Sequence, residues 1–448
     1  MSKKWTIGYI AALVLLPIIL ILFTRLDSPS DLLSPPGLYG ENSKIQNAFE
    51  SSISNANDVI LKYPSSGEYQ SAFVFYDVDG DEIEEVLVFY SLKSDEDVVR
   101  VNILDCVDDE WISVFDEEGY GSDILSIEFN DFYGDGKSEI VVCWRLYEST
   151  SSKVLTVHSI DSVDDKIMSV ETLVNQSYAV YSISDMDDDN VDELLVLWQD
   201  TTDLKLPKSY ATLLKMEKDG TFSQRGNRVQ LDPAVSSYSS IFVGEIGGKT
   251  VTFVDAYKGD DTMITEALYF DEENDTLVAP FVDKESLTNL ITKRSPAVSS
   301  VDIDGDGNLE IPVAISNALQ EEDSSIIPLT AWSIYSDDAL SVKQYNFVNS
   351  ICGYSFAITN GQREKLVVAC NKDTGSMTFY DFANQTKGEE LFTISVKDTK
   401  SITASDEYTF SVTHDDNTYF GTITAVGQAA GFNNELIEDS IVFFDDLK

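Results

Sequence analysis

The chain has 448 residues, with 78 acidic against 30 basic side chains, a formal net charge of −48 at pH 7, two histidines and four cysteines. That balance repels polyanions and excludes nucleic acid and anionic lipid surfaces as partners. Two histidines are too few for a histidine-rich metal centre, and Cys106, Cys143, Cys352 and Cys370 show no CxxC spacing.

Residues 1–4 form a tip carrying Lys3 and Lys4, and an uncharged run from Trp5 to Thr24 follows. Its length matches the ~20 residues that a helix needs to cross a bilayer. The run at 5–24 reads as an uncleaved, single-pass membrane anchor, with a cleaved secretory signal as the alternative. Two lysines before the span against Arg25 after it place the N-terminus in the cytoplasm and the remainder on the extracytoplasmic side of the cell membrane. Without those three cations the exported part carries 27 basic and 78 acidic residues, a net of −51.

Residues 25–40, with Pro29, Pro35 and Pro36, read as a linker. Within an N-terminal segment, 41–69, Ile45, Ala48, Phe49, Ile53 and Ala56 stand near helical spacing and predict a short helix from Ile45 to Leu61. A competing reading makes Val59–Tyr63 a strand that closes the last repeat of the domain at 70–448, where short apolar runs alternate with turn signals.

One device recurs along that domain. Asp77-Val78-Asp79-Gly80-Asp81-Glu82-Ile83-Glu84-Glu85 precedes the apolar run Val86–Tyr90, and Asp131-Phe132-Tyr133-Gly134-Asp135-Gly136-Lys137-Ser138-Glu139 precedes Ile140–Trp144. Asp185-Met186-Asp187-Asp188-Asp189-Asn190-Val191-Asp192-Glu193 precedes Leu194–Trp198, and Asp302-Ile303-Asp304-Gly305-Asp306-Gly307-Asn308-Leu309-Glu310 precedes Ile311. The first acids stand at 77, 131 and 185, 54 residues apart; the next is 117 further on, two slightly enlarged steps. Gly244–Gly248 fills the gap as a decayed copy, and Ile358–Gly361 and Thr413–Asn417 continue the period, which makes seven units.

Each unit reads as a strand entering the loop, an almost continuously apolar strand leaving it, and two more strands joined by a polar turn such as Val107-Asp108-Asp109. Continuous apolar runs are strands buried on both faces. The expected fold is therefore all-β, a seven-bladed β-propeller of four-stranded blades behind one transmembrane helix and a short helix. Pro312 lies in the strand after the fifth loop, where it demands a bulge or a sheet edge.

These Asp-x-Asp-Gly-Asp-x-x-x-Glu loops before an apolar strand resemble the FG-GAP/VCBS repeats of integrin-α-like propellers in membrane-anchored exported proteins. The resemblance implies calcium held by side chains at positions one, three, five and nine and by the carbonyl of position seven. It implies Asp77, Asp79, Asp81, Ile83 and Glu85 in the first loop, Asp185, Asp187, Asp189, Val191 and Glu193 in the third, and Asp302, Asp304, Asp306, Asn308 and Glu310 in the fifth. The second loop has Tyr133 at position three, leaving Asp131, Asp135 and Glu139 as a weaker set. An EF-hand is excluded, because it needs a bidentate glutamate at position twelve. That position holds Val88, Val196 or Val313. The bland reading is acidic turns without an ion.

No catalytic constellation stands out. His158 and His414 read as ordinary strand or loop residues. Tyr90, Trp144 and Trp198, each thirteen residues after the first Asp of its loop, read either as packing between blades or as an aromatic ring that stacks on sugars. Cys352 and Cys370 fall on successive strand regions, where a disulfide is one option after export. The sequence therefore predicts a membrane-anchored calcium-binding propeller, not an enzyme, that binds an unknown protein or glycan as a noncatalytic module. The alternatives are a surface enzyme acting on polysaccharide through carboxylates, and an envelope assembly factor.

Overall fold

A computed structural model describes residues 41–54, 56–146, 152–163, 166–200, 208–316, 318–403 and 407–447. The anchor expected at 5–24 and the linker at 25–40 lie outside the described residues, among which no helix is long and apolar enough to cross a membrane. The chain is all-β. Among the described residues the strands form six antiparallel sheets of four or five strands each, and within most of them spatial order follows chain order.

Two compact units divide the chain. One runs up to Glu128 and takes in Val142–Thr150 and His158–Glu171; the other comprises Phe129–Val141, Ser151–Val157 and Thr172–Lys448. The strands of the second sheet, Asp123–Asn130, Glu139–Arg145, Lys153–Ser162 and Ile167–Tyr178, contribute to both lists.

In the first unit, Phe73–Tyr76, Glu85–Leu92, Asp95–Val107 and Glu110–Glu118 make the first sheet. The second of these strands is buried along almost its whole length, as its continuous apolar run requires. The N-terminal helix is Glu41–Ser52, shorter than the stretch expected to Leu61. It buries Ile45 and Phe49 against Val86, Val88, Tyr90 and Leu104, with the Phe49 ring edge-on to Phe73 and Tyr90 at 5.8 and 5.3 Å. Val59–Leu61 is a strand, but it does not complete the last repeat. It pairs with Tyr90–Leu92 of its own first sheet, beside the stretch of that strand that Phe73–Tyr76 leaves open. Residues 62–89 separate the two paired segments, so this pairing closes a far smaller loop than one reaching the C-terminal repeat.

The second unit holds four complete sheets: Val180–Leu231, Ser237–Val278, Ile311–Ile358 joined by Ile441–Phe443, and Leu366–Ile423. The expected seventh sheet has no separate counterpart among the described residues. Its two strands, Phe410–His414 and Asn417–Ile423, add to the sheet of Leu366–Cys370, and the chain then turns into the short helices Ala425–Ala429 and Asn434–Asp439. Two strands alone cannot bury a face, so they extend the neighbouring sheet. The decayed copy at Gly244–Gly248 is a plain hairpin whose turn is Gly247-Gly248, with φ of 59° and 75°. Pro312 lies on an edge: its strand, Ile311–Ile315, ends the fifth sheet, and upstream of it only the single bridge Val301–Glu310 forms.

The connector after Val278 is fastened to the fourth sheet by buried polar groups. Asp255, fully buried, accepts from Arg294 at 2.8 Å, from the Thr265 hydroxyl at 2.7 Å and from the Ser300 backbone N–H at 2.6 Å. Glu266 is also fully buried, and burial pushes its carboxyl up to about 7. Beside it, Lys258 pairs with buried Asp232 at 2.6 Å. Arg294→Ala leaves the Asp255 charge buried without its counter-ion, and breaking such a pair costs about 3–5 kcal/mol. Urea unfolding is expected to show that loss, and a change under about 1 kcal/mol contradicts the assignment.

Candidate metal centres

The four acidic loops share one hydrogen-bonding plan. The first-position aspartate caps the turn with both oxygens: Asp77 accepts from Gly80, Asp81 and Glu82 N–H at 2.8, 3.2 and 3.0 Å, and Asp302 from Gly305, Asp306 and Gly307 at 2.7, 3.1 and 2.8 Å. Asp131 does the same with Gly134, Asp135 and Gly136, and Asp185 accepts from Asp189 and Asn190. The fifth-position aspartate accepts from the seventh-position N–H: Asp81 from Ile83 at 2.7 Å, Asp189 from Val191 at 3.1 Å, and Asp306 from Asn308 at 2.9 Å. The turns need residues with positive φ, supplied by Gly80, Gly134 and Gly305 near 76°, and by Asp188 at 56° in the third loop.

The ninth-position glutamate closes each loop from inside. Its Oε2 accepts the second-position N–H: Glu85 from Val78, Glu139 from Phe132 and Glu310 from Ile303 at 2.9 Å, and Glu193 from Met186 at 2.8 Å. These glutamates stand at the head of the buried strand, opposite the residue that enters the loop, in the pairs Tyr76–Glu85, Ser184–Glu193 and Val301–Glu310. The strand carries the carboxylate inward with it, so all four are buried. Burial pushes Glu85 up to about 8, with Asp79, Asp105 and Asp81 adding to the rise, and it pushes Glu139 and Glu310 up to about 7.

The structure gathers Asp77, Asp79 and Glu85 so that one oxygen of each lies within 4.8 Å of the others, and it does the same for Asp185, Asp187 and Glu193 and for Asp302, Asp304 and Asp306. Asp131, Asp135 and Glu139 form no such group among the described residues, in keeping with Tyr133, whose hydroxyl turns away to the Lys218 carbonyl at 2.7 Å. Two buried oxygens in these loops have no hydrogen-bond partner, Asp79 Oδ1 in the first and Glu310 Oε1 in the fifth; Asp79 is 7% exposed and Glu310 not at all. An unpartnered carboxylate oxygen out of water is costly, and a hard cation with oxygen ligands satisfies it. The donor sets of the first and fifth loops fit such an ion.

The third loop differs. The Lys215 ammonium lies 2.6, 2.7 and 2.9 Å from Asp187, Asp189 and Glu193, and Arg225 reaches Asp187 at 3.2 Å. Burial works against the Lys215 charge, but the three carboxylates outweigh it and hold the ammonium above the ordinary lysine value. The ammonium occupies the place expected for calcium. In the fifth loop, Lys343 touches only Asp306, at 2.9 Å on the exposed side.

Sequence reasoning missed Lys215, Arg225 and Asp105, and also the group formed by His414, Asp415 and Asp445, in which the His414 ring stacks on Phe443 at 4.0 Å. Two options left open by the sequence fall away. Tyr90 and Trp144 are buried, and the Trp198 ring lies tilted against Tyr210 with centroids 4.9 Å apart, so the three form no sugar-facing ring. The Tyr90 hydroxyl instead donates to Asp116 at 2.8 Å, beside Arg100. All four cysteines are free thiols, and Cys352 and Cys370 are not bridged.

No family model and no curated protein matches the chain. Solved structures do. An endo-arabinase from Bacteroides thetaiotaomicron VPI-5482 is 13% identical over 62% of this chain and 97% of its own, with a TM-score of 0.26. Rhamnogalacturonan lyase YesW is 12% identical over 73% of this chain and 74% of its own, with a TM-score of 0.25. An endo-1,5-α-L-arabinanase from Thermotoga petrophila RKU-1 is 8% identical over 82% of this chain and 100% of its own, with a TM-score of 0.26. The expectation that the chain is not an enzyme is withdrawn, because nothing in these comparisons supports it and the three structures are all named as enzymes. Similarity at this level assigns neither a reaction nor a substrate.

Because Glu85, Glu139 and Glu310 titrate higher in the folded chain than the usual ~4.3, the metal-free folded state holds more protons than the unfolded state between about pH 4.5 and 8. Its stability therefore falls as pH rises through that window. Melting in chelator is expected to occur at a lower temperature at about pH 8 than at about pH 5.5, with the increment from calcium larger at the higher pH. The opposite trend in chelator refutes this account of the ninth-position glutamates.

Proposed function

We propose that the chain is a calcium-binding β-propeller of the FG-GAP/VCBS kind, held on the extracytoplasmic side of the membrane by its N-terminal apolar run, and that it engages extracellular polysaccharide. The observation that carries the cation reading is the pair of buried oxygens without partners: Asp79 Oδ1, in a residue grouped with Asp77 and Glu85, and Glu310 Oε1, in a residue that feels the charges of Asp304, Asp306 and Asp302. Calcium is the ion of choice because every side-chain donor is a hard oxygen, the ligand type it takes in high number. Its role is structural: it neutralises carboxylates that the strands carry into the core.

A cleft of about 520 Å³ beside the fifth loop supports the polysaccharide reading. Asp302 and Asn308 line it together with Glu245, Phe242 and Tyr335, so carboxylates and aromatic faces meet in one concavity. Such a lining suits sugar hydroxyls and ring faces. Cleavage of the bound glycan through the carboxylates is the second reading that this cleft favours.

Thermal unfolding of the full chain in detergent, with calcium added and then chelated, tests the cation reading. Calcium at about 100 times its dissociation constant is worth about 2.7 kcal/mol and raises the melting temperature by several degrees. Asp79→Asn and Glu310→Gln are each expected to take away part of that rise. No shift at millimolar calcium refutes the reading. A panel of plant and bacterial polysaccharides, scored for binding and for release of reducing ends, tests the cleft, and Glu245→Gln is expected to weaken any response at least tenfold.

A further inference from the structure

One loop plan holds an ammonium in the third loop and leaves a buried oxygen unpartnered in the first and in the fifth, and the strand register differs among the three. In the third sheet Leu194 pairs with Leu214, so the next rung sets Glu193 against Lys215. In the first sheet Val86 pairs with Leu104, so the same rung sets Glu85 against Asp105. In the fifth, Ile311 pairs with Ser333, and Glu310 faces Ile334. One cross-strand position therefore carries a cation, an anion or a hydrocarbon.

We infer that this cross-strand residue selects the cation of each loop: Lys215 supplies the third loop with its own ammonium and shuts it to metal, whereas Asp105 adds a fourth carboxylate to the first loop and opens it to a divalent ion. The inference rests on the calcium reading above and goes beyond it, because it makes the third loop a latent site. The geometry supports both halves. Lys215 satisfies all three acids at 2.6–2.9 Å, and no oxygen of Asp187 or Glu193 is left buried without a partner. Asp105 is 2% exposed; its Oδ2 accepts the Ile167 N–H at 3.0 Å, and no ion pair compensates it among the described residues. Ile334 neither supplies nor removes charge, and Glu310 Oε1 is unpartnered there. The ammonium is a permanent counter-ion on a tether, so it offsets part of the loop's negative charge without the entropic cost of capturing a free ion.

Calcium titration calorimetry on the full chain in detergent, comparing wild type with Lys215→Met, is the test. Methionine keeps the length of the side chain and removes the charge. The variant is expected to take up one more calcium equivalent than wild type, and its melting temperature is expected to depend more steeply on calcium. The mirror substitution, Asp105→Lys, is expected to lose one equivalent. Equal uptake by wild type and Lys215→Met overturns the inference while leaving the calcium reading intact, and no uptake by either overturns both. If Lys215→Met folds neither with nor without calcium, acetylation of wild-type lysines read by mass spectrometry decides. Lys215 is expected to stay unmodified in chelator and in calcium alike, and labelling that rises when calcium is added means that the metal displaces the lysine and the inference fails.

Discussion

A carboxylate fixed to the first rung of a buried strand governs the chemistry of this protein. The apolar run after each loop has to lie inside its sheet, and the residue heading the run is glutamate in every acidic loop, so the chain's covalent continuity carries a charge out of water. One oxygen is satisfied locally by the second-position N–H, which ties the loop to the strand. The other needs a cation or a proton, because a lone ionised carboxylate in a low-dielectric core is the costliest group a fold can hold. The raised values of Glu85, Glu139 and Glu310 register that cost, and burial raises Glu193 as well, although Lys215 stands beside it.

The chain meets this demand in different ways from sheet to sheet. Arg294 for Asp255, Lys258 for Asp232 and Lys215 for the third loop are internal solutions, each a basic side chain at 2.6–2.9 Å from a buried acid. With only 30 basic residues against 78 acidic ones, the chain has few cations to spend inside, and several of them are concentrated on the third and fourth sheets. Among the described residues, the first and fifth loops have no such partner on the buried side. A protein this acidic gains from borrowing divalent ions, which also screen the repulsion among its surface carboxylates.

Much of this was legible in the residues. The Asp77, Asp131, Asp185 and Asp302 loops, the buried strands that follow them and the two-residue polar turns such as Asp108-Asp109, with φ of 52° and 65°, all stand where the period places them. These features are local, since a turn is set by a few adjacent residues and a buried strand by an uninterrupted apolar run. The seventh sheet and the closing role of Val59–Leu61 were misread for the converse reason: which edge a short strand joins depends on loop closure and on partners distant in sequence. The aromatic residues at 90, 144 and 198 shared a spacing but not an environment, because burial is fixed by what packs on the sheet, as Phe49 packs on Tyr90.

The sequence by itself determined which loops carry a set of convergent carboxylates and that each set ends on the rim of a buried strand. It could not determine what neutralises them. The residue facing the ninth-position glutamate lies 20 positions later in the first sheet (Asp105), 22 in the third (Lys215) and 24 in the fifth (Ile334), because the intervening hairpins differ in length. No fixed spacing reveals it. Only the paired strands bring Lys215 or Asp105 to the loop, and because a buried charge repays its desolvation only at contact geometry, this single rung decides between an internal ammonium and an external ion.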